Sequence, residues 1–446
     1  MKNILSKWGS LTMAIIASFS IIATSCSNDE PEQPQSDKTD RRIVINADGS
    51  NSEGANFVRS GDDTFWINSI QYHIQNYDLI ISGYNPEKMS SHPVIYSEVT
   101  LDGMTYKTRS IKSSAFYKAE CIRIDIPSTV NHLGAECFRE SKLETIYLPK
   151  TLTSIESSCF KQCNSLKTVS FEQGITVLGD ECFCNCVSIE TVRIPSTLKS
   201  PGRHVFAACK SLKKIEFEPN VERLGYGWFS FCNALTSVSI PSGVLYIDTN
   251  CFSSCQNLEK VIIGKDVKEL GYFCFANCTN LKSIDLGKSL TYLSQHCFTG
   301  CSSLKEIRIP ESVTYIGAAC FSQCSSLANI IIPSTVKDIE SSCFTECTSL
   351  KNIILPSGLT TIFPNCFKSS GLTEVTIPEE VTYLFDECFA ECHSLKKVTF
   401  KGAVPPEIAS DAFNEVNATA YVPDKSLEAY KNSALADCFK EILPIR

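Results

Sequence analysis

The chain is predicted to fold as a repeat solenoid, and three observations predict it. One phenylalanine recurs thirteen times, from Phe116 to Phe389, at spacings of 22 or 23 residues; a period in this range is the signature of stacked coils. Six residues after that Phe, Leu or Ile follows in the longer coils, as in Leu166, Ile189, Leu258 and Leu327. An alternating apolar pair comes next, as in Ile307/Ile309 and Val375/Ile377, and alternation with β-branched residues marks a strand. About eight positions per coil point inward, more than a lone coil can bury, so neighbouring coils must bury them jointly.

Composition bounds the rest. The 446 residues carry a net charge of −8 and show no basic stripe, which argues against nucleic acid as a partner. Cysteine is the outlier, with 24 residues. In a short secreted chain that number would indicate a disulfide scaffold. Here the cysteines follow the repeat and have to be read with it.

Residues 1–25 read as a signal peptide. Lys2 and Lys7 form a basic start, and Leu11 to Ile22 is mostly apolar, with Ser18 and Ser20 interrupting it. The run is too short and too polar to span a membrane. It ends in Ala23-Thr24-Ser25-Cys26, which resembles the lipobox of bacterial lipoproteins, with Ala23 standing where Leu is usual. Cys26 is then the residue whose thiol takes up the lipid. Residues 26–41 continue as an acidic tether with two prolines, "SNDEPEQPQSDKTD", of disordered composition. Ser27-Asn28-Asp29-Glu30 resembles the export signal that sends some lipoproteins to the outer face of the outer membrane.

Residues 42–110 are expected to form a β-rich N-terminal cap. "FWINSIQYHIQNYDLIISGY" (Phe65 to Tyr84) alternates well enough for two strands, and Asp48 to Asp63 reads as loop. The repeats occupy 111–400. In each coil Pro or Gly ends the strand, as at Pro310, Pro333, Gly264 and Gly287. A second apolar pair three apart, such as Val313/Ile316 or Val336/Ile339, leads back to the next Phe. That spacing predicts a short helical return. Strands of successive coils should pair in parallel, and thirteen coils at about 4.7–4.9 Å each give a body roughly 60 Å long. Three coils are one residue shorter after the Phe, "AFYKAEC", "CFRESKL" and "CFKSSGL". Residues 401–446 are a C-terminal cap in which Asp424 is placed to start a helix, with Leu427 and Tyr430 on its buried face.

The cysteines hold two fixed positions. The residue before the Phe is Cys in ten coils and Ala115, Val205 or Trp228 in the other three. The residue three after it is Cys in all ten long coils and Ala119, Ser141 or Ser370 in the short ones. A ligand to a metal is not replaced by Val or Trp, whereas a buried space-filler is. Zinc sites also need paired short spacings, and the densest cluster, Cys182, Cys184 and Cys186, lacks them. Disulfides are the serious alternative, since an exported chain meets oxidising conditions. The expected separations of about 4.7–6 Å exceed the roughly 3.8 Å that a disulfide prefers. The expectation is therefore mostly free, buried thiols, with no cofactor and no metal.

The string C-F-x-x-C-x-S-L-x-x-I-x-I-P-x-x-V-x-x-I resembles the BspA-like leucine-rich repeats of surface proteins from anaerobic Gram-negative bacteria, where the residue before Phe is commonly Ala. The resemblance covers Tyr96 to Phe389 and extends to "VTLDGMTYKTRSIKSSAF" and "DAFNEVNATAYVPDKSLEAYKNS" as the family's end caps. It implies a leucine-rich-repeat solenoid on the cell surface, anchored to the outer membrane, that binds host or bacterial surface proteins or glycans.

Binding in a solenoid uses outward positions that vary while the frame stays fixed. On the strand these positions include Tyr147, Arg193, Ile262, Arg308, Ile331 and Ile354. Ile331 and Ile354 are apolar neighbours on a face that is otherwise polar, with Arg308 beside them. Such neighbours mark a contact site, or reflect only the preference of isoleucine for strands. A periplasm-facing structural or nutrient-binding lipoprotein is the alternative to an adhesin. An enzyme is not expected: His73, His92, His132, His204, His296 and His393 sit at unrelated phases, and no G-x-S-x-G, H-E-x-x-H or phosphate loop is present.

Overall fold

A computed structural model describes residues 40–171 and 174–445. The signal peptide, Cys26 and nearly all of the tether lie outside the described residues. Within them no helix is long and apolar enough to cross a membrane.

The described residues begin with seven strands: β1 (Arg41–Ile45), β2 (Phe57–Arg59), β3 (Thr64–Ile67), β4 (Ile70–Gln75), β5 (Asp78–Tyr84), β6 (Tyr96–Leu101) and β7 (Met104–Ile111). β2 lies inside the stretch expected to be loop, and Phe65 to Tyr84 contributes three strands rather than two. The reason is local. Asn68, Asn76 and Tyr77 adopt positive φ at 52°, 53° and 64°, which lets the chain reverse in two-residue turns without glycine. β2 to β5 form an antiparallel meander, and β5 then pairs in parallel with β7.

The repeat proper follows. Each coil except the one at residues 351–356 has a longer strand, first β8 (Arg123–Asp125) and then β10 (Thr145–Leu148), and each has a two-residue strand, first β9 (His132–Leu133) and then β11 (Ser154–Ile155). Both kinds stack in parallel with the equivalent strand one coil away. β7 pairs directly with β9. The N-terminal sheet and the first short strands are therefore one sheet, and its last strand templates the ladder. The shorter coils stay in register: Thr145 faces Arg123 and Thr168 faces Thr145.

The helical return is replaced by tandem turns and the short strand. Residues two before and two after each ladder Phe have positive φ, as at Asn250 (58°) and Ser254 (60°) around Phe252. A left-handed residue cannot propagate a right-handed helix. The second apolar pair is explained the same way. Val313 donates its N–H to Pro310 O at 3.0 Å inside a turn, and Ile316 lies in the short strand Tyr315–Ile316.

The recurring Phe rings form one internal column, wholly buried from Phe116 to Phe389. Successive centroids are 5.0–5.8 Å apart and the planes lie within 19° of parallel. The column is longer than the repeat count suggests. Phe413 stacks on Phe389 at 5.2 Å, and Tyr84 stacks on Phe116 at 5.9 Å. Phe439 closes the C-terminal end, tilted over Phe413 at 4.8 Å. A short 3₁₀ turn over Asp424–Ser426 runs into α1 (Leu427–Lys431). Asp424 makes no side-chain capping bond. The segment is instead fixed by buried Tyr430, whose hydroxyl donates to Gly402 O at 2.9 Å.

Candidate binding face

The longer strands point every second side chain inward, so Ile146, Val192, Ile307 and Val375 are buried while their neighbours face solvent. On this outer face, Arg308 and Ile331 are direct partners in adjacent strands, and Ser239, Ile262 and Asp285 form another row. Ile331 is 57% exposed and Ile354 86%, against 38% for Ile262. Ile354 sits one coil after Ile331 in a segment, residues 351–356, that carries no strand. Its phase is nevertheless kept, because Ile353 and Leu355 on either side are buried.

The predicted residues do not all meet. Arg308, Ile331 and Ile354 occupy three successive coils. Ile262 is four coils from Ile354, about 19 Å at the strand spacing, with Asp285 and Arg308 between. Tyr147 and Arg193 lie farther toward the N-terminal end. The guanidinium of Arg123 packs over Tyr147 at 5.6 Å, and Arg193 Nε sits 3.6 Å from the largely buried carboxylate of Glu218. That carboxylate in turn accepts from Ser196 N and Oγ at 3.0 and 3.1 Å. Arg193 is thus tied into the coil, and Arg308, Ile331 and Ile354 are the contiguous set. Behind Ile331, the flanking Ile330 and Ile332 are only half-buried, which widens the apolar surface there.

The cysteines are part of the frame and not of a reactive site. The thiol three residues after each Phe donates to the carbonyl of the Phe one coil earlier. Cys163 Sγ reaches Phe138 O at 3.0 Å, Cys255 reaches Phe229 O at 3.1 Å and Cys392 reaches Phe367 O at 3.0 Å. All ten long coils make this bond. The position is therefore a donor site as well as a filler. The substitution pattern in the sequence already carried this signal, since Ser stands there twice and Val or Trp never does. Before the Phe, by contrast, Ala, Val and Trp are accepted because that position chiefly fills space; only Cys366 and Cys388 reach a carbonyl from it, each at 4.0 Å. Trp228 there finds its own acceptor, Gly202 O, at 2.7 Å.

Burial pushes most of these thiols up, to about 12 at Cys121 and Cys255 and well above the ordinary range at Cys232 and Cys320; at Cys163 burial is outweighed by hydrogen bonds with the Cys186 and Ser141 side chains, which lower it. A thiol held protonated is a poor nucleophile and a poor metal ligand. Of the dense cluster, Cys182 and Cys186 face the core, and Cys186 donates to Phe160 O at 3.0 Å. Cys184 is covered rather than on the surface. Among the described residues no group of three or more His, Cys, Asp or Glu side chains is arranged to hold a metal ion.

Residues 98–213, 199–328 and 314–441 match the BspA type leucine-rich repeat region, as six copies. Among solved structures the chain is similar to a leucine-rich repeat protein from Bacteroides ovatus, 25% identical over 86% of this chain and 100% of that one, with a TM-score of 0.60. It is also similar to a leucine-rich cell surface protein from Faecalibacterium prausnitzii, 25% identical over 76% of this chain and 95% of that one, with a TM-score of 0.50. No curated protein matches it.

Proposed function

The chain belongs to the BspA-type leucine-rich repeat family, and from that premise we propose that it is a surface-anchored bacterial lipoprotein that binds protein or glycan partners through its solenoid without catalysing a reaction. Lipid on Cys26 holds it in the outer membrane, and the acidic tether carries the repeats clear of the cell. The Faecalibacterium protein, described as a cell surface protein, supports the location.

One observation carries the binding claim. The interior is nearly invariant from coil to coil, while Arg308, Ile331 and Ile354 set an exposed apolar step beside a cation on an otherwise polar face. Such a step is costly to leave bare and favourable to cover. An apolar centre with an arginine at its rim is also the composition of interface hot spots.

The test uses residues 40–446, which begin where the described body begins. Immobilised fragment is challenged with host matrix proteins, bacterial surface proteins and a glycan panel. Paired Ile331→Ser and Ile354→Ser substitutions should remove binding and leave the unfolding midpoint in place. Binding that survives both changes refutes this face. Protease treatment of intact cells tests the location: digestion of the repeats supports display, and protection assigns the body to the periplasm. Metabolic palmitate labelling that persists in Cys26→Ser refutes the anchor.

A further inference from the structure

An open groove of about 790 Å³ lies over the outer face of the sheet that joins the N-terminal strands to the first coils. Its volume falls within the ~300–1,000 Å³ typical of ligand sites. Strand register lines up its floor. Thr64 pairs with His73, His73 with Ile80, Ile80 with Ser110, Ser110 with His132 and His132 with Ser154. These six side chains form one row across six strands, about 24 Å from end to end at the strand spacing, and the first five of them, Thr64 to His132, line the groove. A second, shorter row beside it pairs Trp66 with Gln71 and Gln71 with Gly83.

We infer that this groove binds a neutral, linear oligosaccharide lying across the strands, at a site separate from the exposed isoleucine step. Chemistry of the lining selects the ligand. Hydroxyls, amides and imidazoles each donate and accept, as sugar hydroxyls do. Several are already oriented by their neighbours. Thr64 Oγ1 holds His73 Nδ1 at 3.2 Å, Ser82 Oγ donates to Gln71 Oε1 at 3.0 Å, and Glu156 Oε1 lies 3.2 Å from His132 Nε2. The second oxygen of Glu156 accepts from Ala135 N at 2.9 Å. This leaves His73 Nε2, the Gln71 amide nitrogen and His132 Nδ1 free of these partners. Ile74 and Ile80 add apolar floor, and half-buried Trp66, the strand partner of the lining residue Gln71, stands beside the groove with a ring for the C–H face of a pyranose.

Other ligand classes fit less well. β4, β5, β7 and β9 are interior strands with neighbours on both sides, so an extended peptide finds no free sheet edge to join. The carboxylates of Asp63 and Glu156 face a single lysine, Lys112, in the lining, which disfavours phosphate and other anions. A pyranose unit also has nearly the pitch of one strand, so successive sugars meet successive side chains of the row.

The test is isothermal titration of the 40–446 fragment with neutral β-linked hexose tetrasaccharides, alongside sialylated and phosphorylated oligosaccharides and a mixture of unstructured peptides. Saturable binding of a neutral tetrasaccharide is expected. The Gln71→Ala/His73→Ala double variant should weaken it at least about tenfold, while Ile354→Ser leaves it unchanged. Ser110→Tyr, which blocks the row with bulk, should do the same without removing a polar partner. No binding of any neutral oligosaccharide, binding only of the charged arms or of peptide, or binding undiminished in folded Gln71→Ala/His73→Ala and Ser110→Tyr variants would each overturn the site. Those outcomes leave the isoleucine step to stand or fall by its own variants.

Discussion

Phe229 and Phe231 lie two residues apart in one turn, and they offer a controlled test of the ring column. Phe229 is wholly buried, with Phe206 at 5.8 Å on one side, Phe252 at 5.4 Å on the other and Trp228 edge-on at 6.0 Å. Phe231 is 54% exposed. Truncating Phe229 to Ala removes much of the ~150–250 Å² that a buried Phe hides. At about 25 cal/mol per Å² the whole side chain is worth roughly 4–6 kcal/mol. The retained Cβ and a compact denatured chain reduce this to about 3–5 kcal/mol, the range measured for such truncations. Phe231→Ala should stay within about 0.5 kcal/mol of the parent. Urea unfolding of the 40–446 fragment reads both numbers from the shift of the midpoint. Coils touch only their neighbours, so Phe229→Ala should also lower the slope of the transition by uncoupling the two halves. A loss below about 1 kcal/mol for Phe229→Ala, or equal losses for the two variants, would refute the column as the main source of stability.

Three further outcomes follow from the same frame. Cys255→Ser should keep the bond to Phe229 O and cost little, whereas Cys251→Ser buries a hydroxyl where packing alone is needed and should cost about 1–3 kcal/mol; comparable urea midpoints for the two would contradict the donor role. Alkaline pH should destabilise the protein, because folding raises Cys121 and Cys255 to about 12. Their contribution is complete below the unfolded thiol pKa near ~8.5 and is lost as pH climbs toward the folded value, at about 1.4 kcal/mol per pH unit for each thiol. Midpoints that hold steady between about pH 7 and pH 10 would show that these thiols ionise as freely when folded. Tyr430→Phe removes the bond to Gly402 O and should cost about 0.5–1.5 kcal/mol in the same assay, so an unchanged midpoint would mean that α1 is held by packing alone.

The column was legible in the sequence because a fixed period leaves one residue type in one place. The longer strands were legible because alternation such as Ile307/Ile309 has no other common explanation. The turns were not. Glu136, Ser158, Gln162, Asn250 and Ala319 all take positive φ, and no single residue type marks the positions, so their left-handed geometry is imposed by stacking. The Phe413 rung was missed because its spacing from Phe389 is 24 residues, outside the period. Of the predicted face, the alternation gave the exposure of Ile331 and Ile354 correctly, but only coil geometry separates them from Tyr147 and Arg193. The groove was invisible for a different reason. Its row runs from Thr64 to Ser154, and the pairings that assemble it are set by tertiary register across several turns of chain.

The missing strand at residues 351–356 has a mechanical consequence. A pull along the axis is shared by the stacked ladders where they run, the turn-side bonds and the rings; both ladders are interrupted at or beside two earlier joints, between Lys214–Phe217 and Ser237–Ser239 and between Ser283–Asp285 and Glu306–Arg308. Here both ladders are interrupted, since the short strand Asp338–Ile339 does not pair with Thr361–Ile362, and the load passes through the Phe344–Phe367 contact and bonds such as Phe344 N to Cys366 O at 2.7 Å. A stack of coils pulled along its axis would yield at joints of this kind. A ligand seated across Ile331 and Ile354 would splint this one, so that occupancy stiffens the stack at one of its weak points.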